Sequence, residues 1–263
     1  GVTKAAAQAW TEAGWKNLED QNGANGFGEG WFPLPISNVY DRRVSTAIGY
    51  LDNATRRRPN LDIRTDTSVR GLVMDGARCV GVEVAGQGGT TETIAAKEVI
   101  LSCGAIHSPA MLLRAGIGPA GHLKDLGMAV TADRPGVGAN LQEHPTFSIS
   151  GYIPADKRLP ESLRRHIHIG LRWSSGVEGC PPDDMHMVAV CKTGWHPVGK
   201  RIGSLLNWVN KAYSRGRVSL YAADPRREPR VEFNLLQDER DVERVKVGVR
   251  RMASLLHSPA LRD

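Results

Sequence analysis

Two hydropathy rhythms run through this chain. From Leu61 onward, LDIRTDTSVRGLVMDGARCVGVEVAG alternates apolar and polar positions, is rich in Val and Ile, and turns at Asp75–Gly76, which predicts two strands joined as a hairpin. A second turn at Gly86–Gly89 leads into TETIAAKEVILSCG, a further strand. Its end, Val99, Ile100 and Leu101, is apolar without alternation, as in a strand buried on both faces of a parallel sheet. Residues 3–16 and 43–58 have helical spacing, the second run stopped by Pro59. Between them the polar, Gly-rich stretch DQNGANGFGEG (20–30) predicts a surface or cofactor-facing loop. Ser108–Pro109 reads as an N-cap with Pro at the first helical position, Gly116 as the C-terminal glycine, and a short helix follows over 120–126. The Gly- and Pro-punctuated segment 134–145 marks a crossing. Beyond it TFSISGYI, HIHIGLRW, DMHMVAVC and GRVSLYAA alternate with period two, as half-buried antiparallel strands do. Val242, Val245, Val249, Met252, Leu255 and Leu256 then form the apolar stripe of a helix over 236–256. The expected class is α/β followed by α+β, divided into 1–145 and 146–263.

Composition changes this picture little. Hydrophobic residues at 41% and charged ones at 24% place the chain among ordinary globular proteins. No run of eighteen apolar residues exists, so no membrane span is expected. The opening GVTKAAAQAW lacks the features of a signal peptide and reads as a helix already inside a fold, with more chain expected upstream. The net charge of +6 raises nucleic-acid binding, but Arg56–Arg58 sit at a helix C-terminus, and Arg164–Arg165, Arg226–Arg227 and Arg250–Arg251 are interleaved with acids. No nucleic-acid partner is expected. Cys79, Cys103, Cys180 and Cys191 have no metal-type spacing and read as reduced thiols, which fits a cytoplasmic location.

The segment GAIHSPAMLLRAGIG (104–118) resembles the second signature of the glucose–methanol–choline oxidoreductases, with Ala115 where that family usually has Ser. Further landmarks follow in the family's order. They are Asp20, Asn22 and Gly23; RRVSTAIGYL (42–51); PNLDIRTDTSV (59–69); GVGANLQEHP (136–145), with Glu143 in place of the commoner Asp; SRGRVSL (214–220); and ADP (223–225). The resemblance covers essentially the whole chain. It implies part of a Rossmann-like FAD-binding domain, then an antiparallel-sheet substrate domain with covering helices. The activity implied is FAD-dependent oxidation of the CH–OH group of a small-molecule alcohol. It further implies that Val69 offers its backbone to the adenine ring, and that Ser102, Cys103 and Gly104 line the FAD cavity. The chemistry of the residues agrees, since a glycine at the start of a capped helix lets backbone approach a cofactor closely.

Several motifs compete with this reading. Gly116, Gly118 and Gly121 spell GxGxxG, but the segment entering them is a helix, and the dinucleotide fingerprint needs an entering strand. Trp195–Gly199 reads WHPVG, similar to the segment holding the family's catalytic histidine, yet it precedes SRG-x-V where the family has it after. His196 is therefore expected to be non-catalytic, and the resemblance puts the catalytic histidine beyond Asp263. His166 and His168 share a strand face without an acidic or Cys partner at metal-ligand spacing, and His144 reads as shaping its turn. Trp173, Met185, Met187 and Trp208 are candidate pocket liners. With no strand–GxGxxG–helix unit near its start, the chain reads as a fragment that is inactive alone and self-associates through open sheet edges. The alternative is a folded remnant that acts as an interaction module.

Overall fold

The structure is a computed structural model that describes residues 1–23, 28–40, 42–86 and 90–262. In chain order it begins with helix α1 (Val2–Glu12), strand β1 (Gly30–Pro33), the two-residue strands β2 (Asn38–Val39) and β3 (Arg42–Arg43), and helices α2 (Thr46–Tyr50) and α3 (Asn53–Arg56). Strands β4 (Val69–Asp75), β5 (Arg78–Ala85) and β6 (Thr91–Ala95) follow, then α4 (Gly104–Arg114), β7 (Ile117–Gly118), α5 (Ala120–Asp125) and β8 (Ala132–Asp133). The remainder is β9 (Thr146–Tyr152), β10 (Ile167–Trp173), β11 (Met185–Val190), β12 (Ile202–Val209), β13 (Arg217–Ser219), β14 (Arg230–Glu232), α6 (Glu239–Leu256) and α7 (Pro259–Arg262). These elements form two units, each discontinuous in sequence, so a boundary near residue 145 is one crossing among four.

The first unit comprises Gly1–Leu51, His144–Ser214 and Leu235–Asp263. Its centre is an antiparallel sheet of order β1-β10-β11-β12-β9. Alternation gives the sheet one dry face. Ile169, Leu171, Trp173, Met185, Met187, Ala189, Leu205 and Val209 point to that side, where Ala6, Ala9 and Trp10 of α1 and Met252 and Leu255 of α6 cover them. Strand β12, IGSLLNWV, escaped the sequence reading because Leu205 and Leu206 are both apolar and hide the period. β1 starts inside the loop expected over 20–30; residues 24–27 of that loop lie outside the described residues.

Helix α6 starts at Glu239, three residues later than expected, with the Asp238 carboxylate accepting the Arg240 N–H at 3.0 Å as N-cap. Its buried face keeps part of the expected stripe, with Met252 and Leu255 in the core and Val245 and Leu256 packed against it, and adds a charged pair. Asp241, Arg244, Gly248, Met252 and Leu255 face inward, while Val249 is exposed. The charged pair can turn inward because each charge finds partners there, as described in the Discussion.

The second unit comprises Asp52–Glu143 and Arg215–Asn234. Its three-stranded sheet β4-β5-β6 contains the expected Asp75–Gly76 hairpin. Residues 87–89, in the second expected turn, lie outside the described residues. β6 ends at Ala95, and the strand expected through Val99, Ile100 and Leu101 does not form. A strand needs hydrogen-bonding neighbours, and none of the described residues pairs with this stretch; Ile100 is 80% exposed. The helix expected over 43–58 is two short ones. The Asp52 carboxylate accepts the Thr55 N–H at 2.7 Å and starts a second helix, while Ile48 stays exposed, so no packed face rewards a longer one. GRVSLYAA contributes only β13, which pairs with β14 in this unit and does not join the five-stranded sheet. A separate core gathers Ala110 and Leu113 of α4 with Leu123, Leu141, Val218 and Leu220.

Candidate functional site

The face of the five-stranded sheet opposite α1 and α6 carries a cavity of about 1880 Å³ within the first unit. Its floor follows from strand register. His186 pairs with Trp208 and Val188 with Leu206, so these four side chains share the open face, while the flanking Met185 and Met187 turn away into the core. The His186 and Trp208 rings stack at 4.4 Å, and Phe32 of β1 lies 5.6 Å from the imidazole. Gly170 makes that approach feasible, since a Cβ there would come within 2.9 Å of the Phe32 ring. Burial, with the nearby Arg172 and His144, pushes the His186 pKa down to about 4, so it is a neutral imidazole at physiological pH.

The walls have a different character. Among the described residues, eight arginine and lysine side chains line the cavity against one carboxylate, Glu161, which pairs with Lys200 at 2.7 Å. Arg165 is held in place by donating to the Leu34 and Ile167 carbonyls. Lys192 is only 7% exposed. Its ammonium donates to the Leu163 carbonyl at 2.7 Å and sits 4.2 Å from the Trp195 ring centroid. Burial lowers the Lys192 pKa, and burial together with Lys192 and Arg165 lowers that of His166.

Of the liners expected from sequence, Trp208 faces the cavity; Trp173, Met185 and Met187 do not, being buried in the core on the opposite face. Trp173 instead donates its indole N–H to the Asn207 side chain at 3.1 Å. The readable signal was pairing phase, because residues paired with Trp208 share its face and odd-numbered β11 residues cannot. Lys192, Arg165 and His186 were not anticipated.

The residues expected to hold a flavin lie in the second unit. Val69 opens β4, and Ser102–Cys103 lead into α4, whose first residue is Gly104; α4 and β4 are in contact. Helix α4 starts at Gly104 and not at Ser108. The Ser108 hydroxyl reaches back instead to accept the Cys103 N–H at 3.0 Å, freeing the turn to begin earlier. Gly104 has φ +83°, a left-handed backbone that glycine alone adopts without strain, and the space its Cβ would fill is open. Val69, Ser102, Cys103 and Gly104 are all exposed. An open, side-chain-free turn at the start of an eleven-residue helix is a cradle that fits a cofactor's backbone-facing edge.

His196 is exposed on the turn after β11, its Nδ1 accepting the Gly199 N–H at 3.3 Å, and it is not among the cavity-lining residues. In GIGPAG, the two residues Ile117–Gly118 pair as β7 with β8, and the Asp133 carboxylate already accepts the Ala120 N–H at the start of α5. One N–H of that helix terminus is thus already taken by a carboxylate. No group of three or more His, Cys, Asp or Glu side chains among the described residues could hold a metal ion, and no helix is long and apolar enough to cross a membrane.

Comparison with known proteins gives a consistent picture. Two family models described as GMC oxidoreductase match residues 1–146 and 212–263. The chain is 42% identical to a 5-(hydroxymethyl)furfural oxidase of Methylovorus sp. strain MP688, an alignment covering 98% of this chain and 48% of that protein. It is 32% identical to an oxygen-dependent choline dehydrogenase of Escherichia coli strain UMN026, over 98% of this chain and 51% of the relative. Pyridoxine 4-oxidase from Mesorbium loti superposes with a TM-score of 0.85 at 27% identity, covering 99% of this chain and 52% of that one. The chain thus spans about half the length of the relatives it matches.

Proposed function

The chain belongs to the GMC oxidoreductases, and from that premise we propose that it is part of an FAD-dependent oxidoreductase acting on the CH–OH group of an alcohol. The single observation that carries this reading is the open sheet face, a large cavity with an aromatic and aliphatic floor, in a chain whose other unit presents the bare Gly104 turn. In such a reaction the alcohol oxygen gives up a proton and the carbinol carbon a hydride, leaving a carbonyl. FAD, when bound, supplies the two-electron acceptor for that hydride. Val69, Ser102, Cys103 and Gly104 are the residues we assign to holding it. The cavity floor binds and orients the alcohol, and its apolar residues exclude water from the carbinol carbon.

The proton acceptor is a separate matter. His166 and His186 line the cavity; burial lowers the pKa of both, to about 4 for His186, which makes His186 a poor base, and His196 is an exposed turn residue. We therefore assign no catalytic base within these residues, and the 263-residue chain is expected to be inactive on alcohols by itself. With Ile100 80% exposed, it is also expected to self-associate in light scattering. Four free cysteines fit a reducing, cytoplasmic setting.

The test is chemical protection. Cys103 is an exposed thiol adjoining Gly104, so its alkylation, followed by peptide mass spectrometry, should slow when FAD is added. Alkylation of Cys79, remote in sequence from that turn, serves as control. Equal alkylation of Cys103 with and without FAD sinks the cofactor assignment. A stoichiometric yellow chain that oxidises alcohols unaided sinks the inactivity assignment.

A further inference from the structure

The cavity on the sheet face contains an electrostatic imbalance that the described residues lining it do not resolve. A charge taken out of water is costly unless an opposite charge or several hydrogen bonds compensate it. Lys192 is 7% exposed, yet its ammonium has one carbonyl partner and one aromatic ring, and no carboxylate lies within ion-pair distance of it among the described residues. An ammonium has three donors, so two remain for something else. Arg165 has a similar arrangement: its guanidinium is fixed by two backbone carbonyls and has no acidic partner among the described residues. Both charges act on the same His166 ring, which itself meets the Trp195 ring edge-on at 6.0 Å. One corner of the cavity therefore gathers two prepositioned cations and a neutral imidazole beside an indole. The floor of the same cavity carries the stacked His186 and Trp208 rings.

We propose that this cavity takes an alcohol with a flat, apolar body that lies on the Trp208–His186 floor and carries a carboxylate held by Lys192 and Arg165. The assignment rests on the reading of the sheet face as the alcohol site. It also argues against a quaternary ammonium substrate. Such a cation needs aromatic faces free of competing positive charge, whereas here, among the described residues, eight cationic side chains meet one carboxylate that is already paired. A neutral aromatic alcohol fits the floor and leaves the corner unused.

Isothermal titration of the purified protein with 4-(hydroxymethyl)benzoate, benzyl alcohol and choline decides the matter. The carboxylate-bearing alcohol should bind about tenfold or more tightly than benzyl alcohol, the range of a charge-assisted hydrogen bond, with choline weakest. Lys192→Met should abolish that preference. Lys192→Arg should retain it, which separates charge from folding damage. Equal affinities for the carboxylate and the neutral alcohol, a preference that survives Lys192→Met, or choline binding tightest would overturn the proposed charge recognition alone. Failure of all three compounds to bind would overturn the reading of the sheet face as an alcohol site, and this proposal with it.

Discussion

Replacing Arg244 by methionine should lower the unfolding free energy of the five-stranded unit by about 3–5 kcal/mol, the range found when one partner of a buried ion pair is removed. Arg244 is 0% exposed and lies between two carboxylates, Asp241 and Asp184, that are themselves 0% exposed. Each carboxylate has a second task. Asp241 accepts the backbone N–H groups of Tyr213 and Ser214, fixing the chain beyond β12 to α6. Asp184 accepts the N–H and the hydroxyl of Ser175, fixing the connection between β10 and β11. Burial alone would raise the Asp241 pKa, but the Ser214 and Tyr213 hydrogen bonds and the Arg244 charge outweigh it, and the net shift is downward. Methionine would leave two buried negative charges facing each other. Asp184 and Asp241 replaced together with Arg244 by apolar residues of similar volume should recover only part of the loss, because the Tyr213, Ser214 and Ser175 N–H groups lose their acceptors. Urea unfolding followed by circular dichroism reads both variants. A single Arg244→Met change costing under about 1 kcal/mol would mean that water reaches the cluster.

The second large effect is acid sensitivity. The His186 pKa is pushed down to about 4 from an ordinary 6.5, because the folded state keeps it from water between Phe32 and Trp208. Above pH 6.5 the imidazole is neutral in both states and the full stability is present. As pH falls from 6.5 toward 4 the unfolded chain binds a proton that the folded chain refuses, so stability declines by roughly 3 kcal/mol in total and then levels off. The expected contribution of His186 is a loss of roughly 2 kcal/mol between pH 7 and 4.5, which His186→Phe should remove, leaving the smaller share of His166 and His168, whose pKa values burial also lowers. The window lies above the range in which the depressed Asp241 carboxyl titrates, so the two effects separate. Equal losses in the parent and the phenylalanine variant would assign the acid sensitivity to other groups.

Much of the fold was legible because alternation and turn chemistry are local. The Asp75–Gly76 hairpin, three strands of the large sheet and the existence of α4 and α6 all follow from period and punctuation. The failures share a cause: each depended on partners distant in sequence. Val99–Leu101 is apolar enough for a buried strand, but strand formation is decided by neighbours. The inward face of α6 is half legible from hydropathy: Met252 and Leu255 follow from the stripe, but Asp241 and Arg244 are acceptable in a core only through Asp184, Tyr213 and Ser214. The cavity was half legible. Trp208 was identified, but grouping it with Met185 and Met187 ignored the pairing that sends them to opposite faces. Lys192 carries no sequence signal, because its significance arises from what surrounds it after folding.

The order of segments in the large sheet bears on how the protein is made. β1 pairs with β10 across more than a hundred intervening residues, and α6, which seals the dry face, comes after β13 and β14 of the other unit. A ribosome delivering this chain from the N-terminus presents α1 and β1 long before their partners exist. Until Met252 and Leu255 emerge, Leu171, Met187 and Leu205 lack part of their cover. Such high contact order means slow assembly and a prolonged sticky intermediate. Heterologous production should accordingly benefit from reduced translation rate, low temperature and chaperone co-expression.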